Sequence, residues 1–278
     1  MAKEDSKLGL HRNQMTVIQE DDMVLAIDVG NTNIVIGCIV DGEISRVFRV
    51  FTNIAKTADE YAVEIRSILD FHGVESEKIN GAAISCVVPP LTRVFKNAVK
   101  LITGLDAIVV GAGVKTGMNI QIDDPGTLAG DMVATAVGAM STYTAPVIIV
   151  DMGTATKMFV LDKKGGFIGG AIMPGVALSM NALAAGTSLL PRVPIEAPAK
   201  CISANTNDCM KSGAIFGAAS MVDGMVERFE EELGEKAQVV ATGGLAEAVY
   251  RYCKHDIVHD PNLILRGLGI IYEKNKKK

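Results

Sequence analysis

The 278-residue sequence contains no GxxxxGK[ST] segment, which excludes a P-loop nucleotide site; "GVKTG" at 113–117 lacks the upstream glycine that motif needs. It has no CxxC pair. Its five cysteines, at 38, 86, 201, 209 and 253, are scattered and odd in number, a pattern of reduced and mostly buried thiols in a cytoplasmic protein rather than a disulfide framework. No apolar run approaches the roughly 18 residues of a membrane-spanning helix. No basic patch is present: the formal net charge is −5, so no electrostatic footprint for nucleic acid exists, and the lone basic run, "KNKKK" at the C-terminus, reads as a solvated tail. The first 22 residues lack an apolar core segment and are not a secretory signal; they read as a leader or extension, with the fold starting near Met23.

What is there is a sentence written twice. "VLAIDVGNTNIVIG" (24–37) and "VIIVDMGTATKMFV" (147–160) each place Asp-x-Gly and small polar residues between two apolar runs. Each reads as strand, turn, strand. After the first copy, "DG" at 41–42 signals a hairpin into a third strand, 43–51. A helix with a Gly stop follows (57–73), then a strand (81–88), a helix opened by Pro (90–104) and a strand (107–111). The pattern restarts with a helix from about Ala129. Strands at 146–153, 157–162 and 166–175 follow, then helices at 176–186 and 207–234, the latter long and open to a break. A strand at 237–244 and helical stretches at 245–253 and 261–274 close the chain. Two α/β domains of one plan are therefore expected, 23–117 and 118–278, each a mixed sheet with helices packed on it.

A phosphate that approaches a strand-to-strand turn needs close backbone, inward N–H and hydroxyl groups, and a carboxylate that holds a cation between itself and the phosphate oxygens. "DVGNTN" supplies Asp28, Gly30, Asn31, Thr32 and Asn33; "DMGTAT" supplies Asp151, Gly153, Thr154 and Thr156. One such turn is more often only a turn, its Asp and Thr bonding their own backbone. Two in matching contexts point to a cleft that grips one polyphosphate from both sides.

These turns resemble the phosphate motifs of the superfamily of actin, sugar kinases and heat-shock chaperones. With "SCVVPPL" (85–91), "GVKTGMNI" (113–120), "GDM" (130–132), "GGAIMPG" (169–175), "NTNDCMKSG" (205–213) and "ATGGLA" (241–246), all in the family's order, the chain resembles the type III pantothenate kinases. The resemblance implies two duplicated ribonuclease H-like domains with a cleft between them. It implies ATP-dependent phosphorylation of pantothenate, the first step towards coenzyme A, by a homodimer with Mg2+ and a monovalent cation, K+ or NH4+. By the same resemblance, Asp28, Val29, Gly30, Asn31, Thr32, Asn33, Ile34 and Val35 cradle the ATP phosphates, with Asp28 near Mg2+ and Thr154 a second ATP contact. Asp131 is the proton acceptor, Asp151 the monovalent-cation ligand and Thr206 a substrate contact; the residues around the base, Ala129, Gly130 and Met132, and Ile122 fall at substrate-binding positions. A carboxylate at the hydroxyl of a primary alcohol takes its proton as the phosphoryl group arrives. Without the other motifs, Asp131 would read as a capping carboxylate early in a helix.

The chain departs from the family's pattern at three places. Ala129-Gly130-Asp131-Met132 stands where Gly-Ala-Asp-Arg is usual, Ile122 stands at a tyrosine position, and Lys157 replaces a threonine. Lys157 either replaces part of the missing arginine's charge or points to solvent, and solvent is the favoured of the two. Two other readings stay open on these grounds: a nucleotide-binding regulator without catalysis, or a kinase for a different small alcohol. Elsewhere, His255 and His259 in "HDIVHD" read as solvated histidines rather than a metal pair, Met210, Met221 and Met225 as packing, and the acidic run 230–232 as a solvated helix end.

Overall fold

The computed structural model describes residues 23–276. The leader expected at 1–22 and the last two residues of the basic tail lie outside the described residues.

Strands β1 (Met23–Val29), β2 (Asn33–Val40) and β3 (Glu43–Phe51) form a meander; helix α1 (Ala58–Phe71) leads to β4 (Ile79–Cys86), and α2 (Pro89–Thr103) leads to β5 (Ile108–Val109). The sheet order is β3-β2-β1-β4-β5. The two meander pairings are antiparallel, and β4 and β5 add in parallel. After helix α3 (Gly130–Thr142) the plan repeats. Strands β6 (Val147–Met152), β7 (Ala155–Leu161) and β8 (Phe167–Pro174) are followed by helices α4 (Val176–Gly186) and α5 (Thr206–Leu233). Then come β9 (Gln238–Thr242), the single turn α6 (Ala246–Val249), β10 (Ile257–His259) and α7 (Leu263–Asn275). This sheet runs β8-β7-β6-β9-β10 with the same sequence of antiparallel and parallel pairings. Both halves are one construction, as the repeated sentence implies.

Local chemistry sets the element ends. Asp41 (φ 49°) and Gly42 (φ 83°) both enter the left-handed region, as the tight β2–β3 turn requires. Thr57 and Glu60 close a capping box on α1, Pro89 and Pro90 open α2, and Asn205 caps α5 by accepting from the Asp208 N–H. Helix α5 runs unbroken for 28 residues despite Gly213, Gly217 and Gly224. Each glycine weakens an isolated helix by up to about 1 kcal/mol, but the stripe Ile215, Ala219, Val222 and Val226 buries against the second sheet and outweighs it. The stretch 245–253 forms one α-helical turn and a 3₁₀ turn rather than a full helix.

Strand alternation divides the interior into three cores. Leu25, Ile27 and Val29 of β1 face α1 and α2; Val24 and Ala26, on the opposite face, join a central core with α3, α7 and the second sheet. In β6 the division is the same: Ile148, Val150 and Met152 face outward to α5, while Val147 and Ile149 face the centre. Helices α3 and α7 thus lie between two sheets, and their crossing is close enough to require glycine. A Cβ on Gly267 would stand 1.7 Å from the Ala134 carbonyl oxygen, and one on Gly138 would stand 2.1 Å from that of Leu263. That crossing seats α7 against the first sheet as well, where Leu265 fills the space beside Gly37.

Three minor sequence readings change. Glu230 is buried, pairs with Lys236 at 2.6 Å and accepts from the Ala237 N–H, so the acidic run is not wholly solvated. His255 sits 3.0 Å from the Asp223 carboxylate and His259 stacks on Tyr250, so neither is free in water. Cys201 and Cys209 are exposed rather than buried.

Candidate active site

Parity along β1 puts Asp28 on the face of Val24 and Ala26, at the strand's C-terminal end. Parity along β6 puts Asp151 on the face of Val147 and Ile149, at the corresponding end. Both carboxylates therefore point to the layer between the sheets. Asp131 comes to the same place by another route: it lies in the first turn of α3, where the helix dipole favours negative charge, and it is buried. Its Oδ1 accepts from the Met132 N–H at 2.8 Å.

The turns close on each other above these carboxylates. Thr32 Oγ1 and Thr154 Oγ1 are 3.0 Å apart, a direct hydrogen bond between the first and second copies of the repeat. Thr52 Oγ1 donates to the Gly30 carbonyl at 2.7 Å, and the Gly30 N–H closes its own turn on the Asn33 carbonyl. Gly175 and Gly243 press against the second turn. A Cβ on Gly175 would lie 2.3 Å from the Thr154 carbonyl oxygen; one on Gly243, whose φ is +94°, would lie 2.7 Å from Asp151 Oδ1. Asn31, Thr32, Asn33 and Thr154 are exposed; the side chains of Val29 and Ile34 point into the outer core, so those two residues offer the turn only their main chain.

Lys157 does not point to solvent. It stands directly across the β6–β7 pair from Asp151, and its Nζ is 2.7 Å from Asp151 Oδ2 and 2.6 Å from Asp131 Oδ2, with the side chain 17% exposed. The sequence expectation treated a lysine near a turn as a surface residue. The same alternation that aims Asp151 inward aims its cross-strand partner inward too. Burial works against the Lys157 charge, but Asp151 and Asp131 outweigh it and hold the ammonium above lysine's usual range. For Asp151, burial raises the pKa, with Lys157 pulling it down and Asp131 adding to the rise.

Asp28 has no such partner. The residue across from it in β2 is Val35, and Asp28 Oδ1 is buried without a hydrogen-bond partner. Burial, then repulsion from Asp131 and Asp151, raise its pKa from 3.8 to about 7; the Ser85 hydroxyl and Lys157 only partly offset this. Ser85 pairs with Asp28 across β1 and β4 and is fully buried. Neither Ser85 nor Gly243 was singled out from sequence as a site residue, although both lie in quoted motifs, and strand pairing would have pointed to Ser85. An orphaned, hard carboxylate oxygen beside a phosphate-sized turn fits Mg2+, which binds through one or two carboxylates, water and substrate phosphates rather than a full protein cage. No group of three or more His, Cys, Asp or Glu side chains among the described residues is placed to hold a metal on its own.

Ile122, Leu128 and Met132 are partly buried hydrophobics packed on the central core. Ala129 caps α3, and Gly130 packs against the Val110 carbonyl. Thr206 is not brought to this cluster. It opens α5 and lines a separate cavity of about 660 Å³ with Met180, Leu183, Leu190 and Met210, and none of the three aspartates borders it.

A profile of the family described as type III pantothenate kinase matches residues 24–228. The type III pantothenate kinases of Moorella thermoacetica and Halalkalibacterium halodurans are each 40% identical to this chain over 253 residues, which is 91% of this chain and 100% of each relative. Among solved structures, a Baf family transcriptional activator from Campylobacter jejuni superposes with a TM-score of 0.56 at 18% identity, over 90% of this chain and 98% of that one. Component A of the (R)-2-hydroxyglutaryl-CoA dehydratase of Acidaminococcus fermentans gives a TM-score of 0.53 at 16% identity, over 90% and 96%. At these identities the solved structures speak for the fold alone: two duplicated ribonuclease H-like domains.

Proposed function

This chain belongs to the type III pantothenate kinase family, and from that premise we propose that it transfers the γ-phosphoryl group of ATP to the primary hydroxyl of pantothenate in the cleft between its two sheets. The single observation that carries the site assignment is the convergence of Asp28, Asp131 and Asp151 beneath two facing phosphate turns.

The roles follow from the geometry. The main chain of residues 28–35, with the side chains of Asn31, Thr32 and Asn33, cradles the triphosphate from the first sheet, and Thr154 meets it from the second. Asp28 holds the Mg2+ side of the nucleotide; Mg2+, when bound, neutralises phosphate charge. Asp131 is the base. Its two oxygens already contact the Met132 N–H and Lys157, but a carboxylate oxygen has two lone-pair directions, so the substrate hydroxyl can be accepted with both contacts kept. Those contacts fix the carboxylate's orientation, and phosphoryl transfer depends mainly on such alignment. Ala129, Gly130, Met132 and Ile122 form the substrate wall. Their apolar character suits the geminal methyl groups that pantothenate carries beside its reacting hydroxyl.

Sequence similarity over 91% of the chain favours this reading over a non-catalytic regulator. ADP release measured with pantothenate and a panel of other small alcohols tests it. Pantothenate is expected to give the highest kcat/KM. A different alcohol in first place, or silence across the panel, contradicts it.

The chain works as a homodimer on this account. Leu183, Leu189 and Ile202 are exposed large hydrophobics on α4 and the following connector, Leu189 at 90% and Ile202 at 92%; Leu183 lines the cavity that Thr206 lines, and the other two are next in the chain to its lining residues Leu190 and Ser203. A second copy laid on this face would cover them and give Thr206 a substrate role that one chain does not. Sedimentation velocity should return a dimer; a monomer at all concentrations contradicts this.

A further inference from the structure

The two sheets are equivalent strand for strand, which makes one difference between them informative. Across from Asp28 on the first hairpin stands Val35; across from Asp151 on the second stands Lys157. The apolar residue leaves Asp28 to be met by something that arrives with the nucleotide. The lysine meets Asp151 with a charge built into the chain. It also reaches Asp131, which lies on a helix and not on the sheet, so one ammonium ties the second phosphate turn to the carboxylate beside the substrate.

A separate monovalent cation does not fit at Asp151. Oδ2 is occupied by Lys157 Nζ at 2.7 Å, and Oδ1 lies on the Gly243 side, where a Cβ would stand 2.7 Å from it. An added ion would have to displace an ammonium that shares one side chain with the sheet and is mostly buried. Tethering makes that displacement unfavourable, because the lysine re-enters from a very high effective concentration.

We infer that Lys157 is the resident monovalent cation of this site: its ammonium, held between Asp131 and Asp151, provides the charge balance and the positioning that free K+ or NH4+ would otherwise provide, and phosphoryl transfer by this chain needs no added monovalent cation. The inference rests on the kinase assignment above. Lys157 is a positioning residue, acting through Asp131 and Asp151.

The test compares the full chain with its Lys157→Thr variant while KCl replaces tetramethylammonium chloride at constant ionic strength. The parent's kcat is expected to be the same with and without K+. The variant is expected to lose about ten- to a hundredfold in kcat without K+, and to regain activity saturably as K+ or NH4+ is added. A purely structural lysine would give a variant that no ion rescues, which overturns the inference, as does saturable activation of the parent by K+. Should the variant fail to fold, the parent's titration alone still decides. A chain that turns over no pantothenate is read through its affinity for ATP·Mg2+ by calorimetry: independence of K+ upholds the resident cation while the substrate assignment fails, and dependence on K+ overturns it.

Discussion

Replacing Asp131 by Asn lowers kcat for pantothenate phosphorylation by about 10²- to 10⁴-fold while ATP·Mg2+ binds nearly as before. The substitution keeps the size of the side chain and one carbonyl oxygen, but an amide cannot take the proton that the hydroxyl must shed. It also sets up a local conflict. The carboxylate accepts from the Met132 N–H with one oxygen and pairs with Lys157 through the other. An amide has one acceptor for those two donors, so its nitrogen must face either an N–H or an ammonium. Lys157 keeps Asp151 as a partner, so the second phosphate turn stays in place and the loss falls on kcat rather than on nucleotide affinity. Steady-state kinetics beside calorimetry of ATP·Mg2+ check this. A kcat close to the parent's would remove Asp131 from the reaction.

Replacing Asp28 by Asn has two opposite effects. Turnover falls by about two orders of magnitude or more, because the carboxylate that faces the divalent ion is gone. The unliganded protein becomes more stable. In the parent, Asp28 is half-buried, with Oδ1 shut off from solvent and unpartnered, and its pKa stands at about 7 against 3.8 for the unperturbed group. A carboxyl whose folded pKa is raised keeps its proton longer in the folded state than in the unfolded state. Between about pH 4 and pH 7 the unfolded chain is therefore ionised while the folded chain is not, and stability contributed by this group falls as pH rises through that window. Above pH 7 the full penalty of a buried, repelled carboxylate applies, on the order of 1–4 kcal/mol. Asn carries no such penalty. The melting temperature of Asp28→Asn should exceed the parent's by an amount that grows from pH 4 to pH 7 and then levels off. Equal melting temperatures at pH 8 would show that Asp28 is not under the strain its surroundings imply. On the proposed function, this is a cost kept for catalysis, which ATP·Mg2+ relieves on binding.

Much of the architecture is local and so was legible. Apolar runs, the Asp41-Gly42 turn, the Thr57 cap and the proline at the head of α2 each fix an element from residues within a few positions. The repeat adds the symmetry, and strand alternation gives the inward aim of Asp28 and Asp151 once the strands are placed. What was not legible depends on pairing across distance. The partnership of Lys157 with Asp131 joins residues 26 positions apart through the meeting of a strand and a helix, and the contact of His255 with Asp223 spans 32 positions. The register that sets Lys157 opposite Asp151 turns on the second hairpin's loop being one residue tighter than the first: Asp28 pairs with Val35, seven positions on, whereas Asp151 pairs with Lys157, six positions on. The smallness of α3 was visible as composition but not as contact; only the crossing with α7 shows that Gly138 and Gly267 admit two helix backbones to touching distance. Thr206 marks another limit, since the residue carried over as a substrate contact lies at a cavity apart from the aspartates within one chain.

The most direct measurement is the product itself. The purified chain is incubated with ATP, Mg2+ and pantothenate, and the reaction is followed by mass spectrometry. The account predicts phosphopantothenate formed in step with ADP, one for one, by the parent chain and not by Asp131→Asn. ADP release without phosphopantothenate, or equal product from both chains, would contradict it.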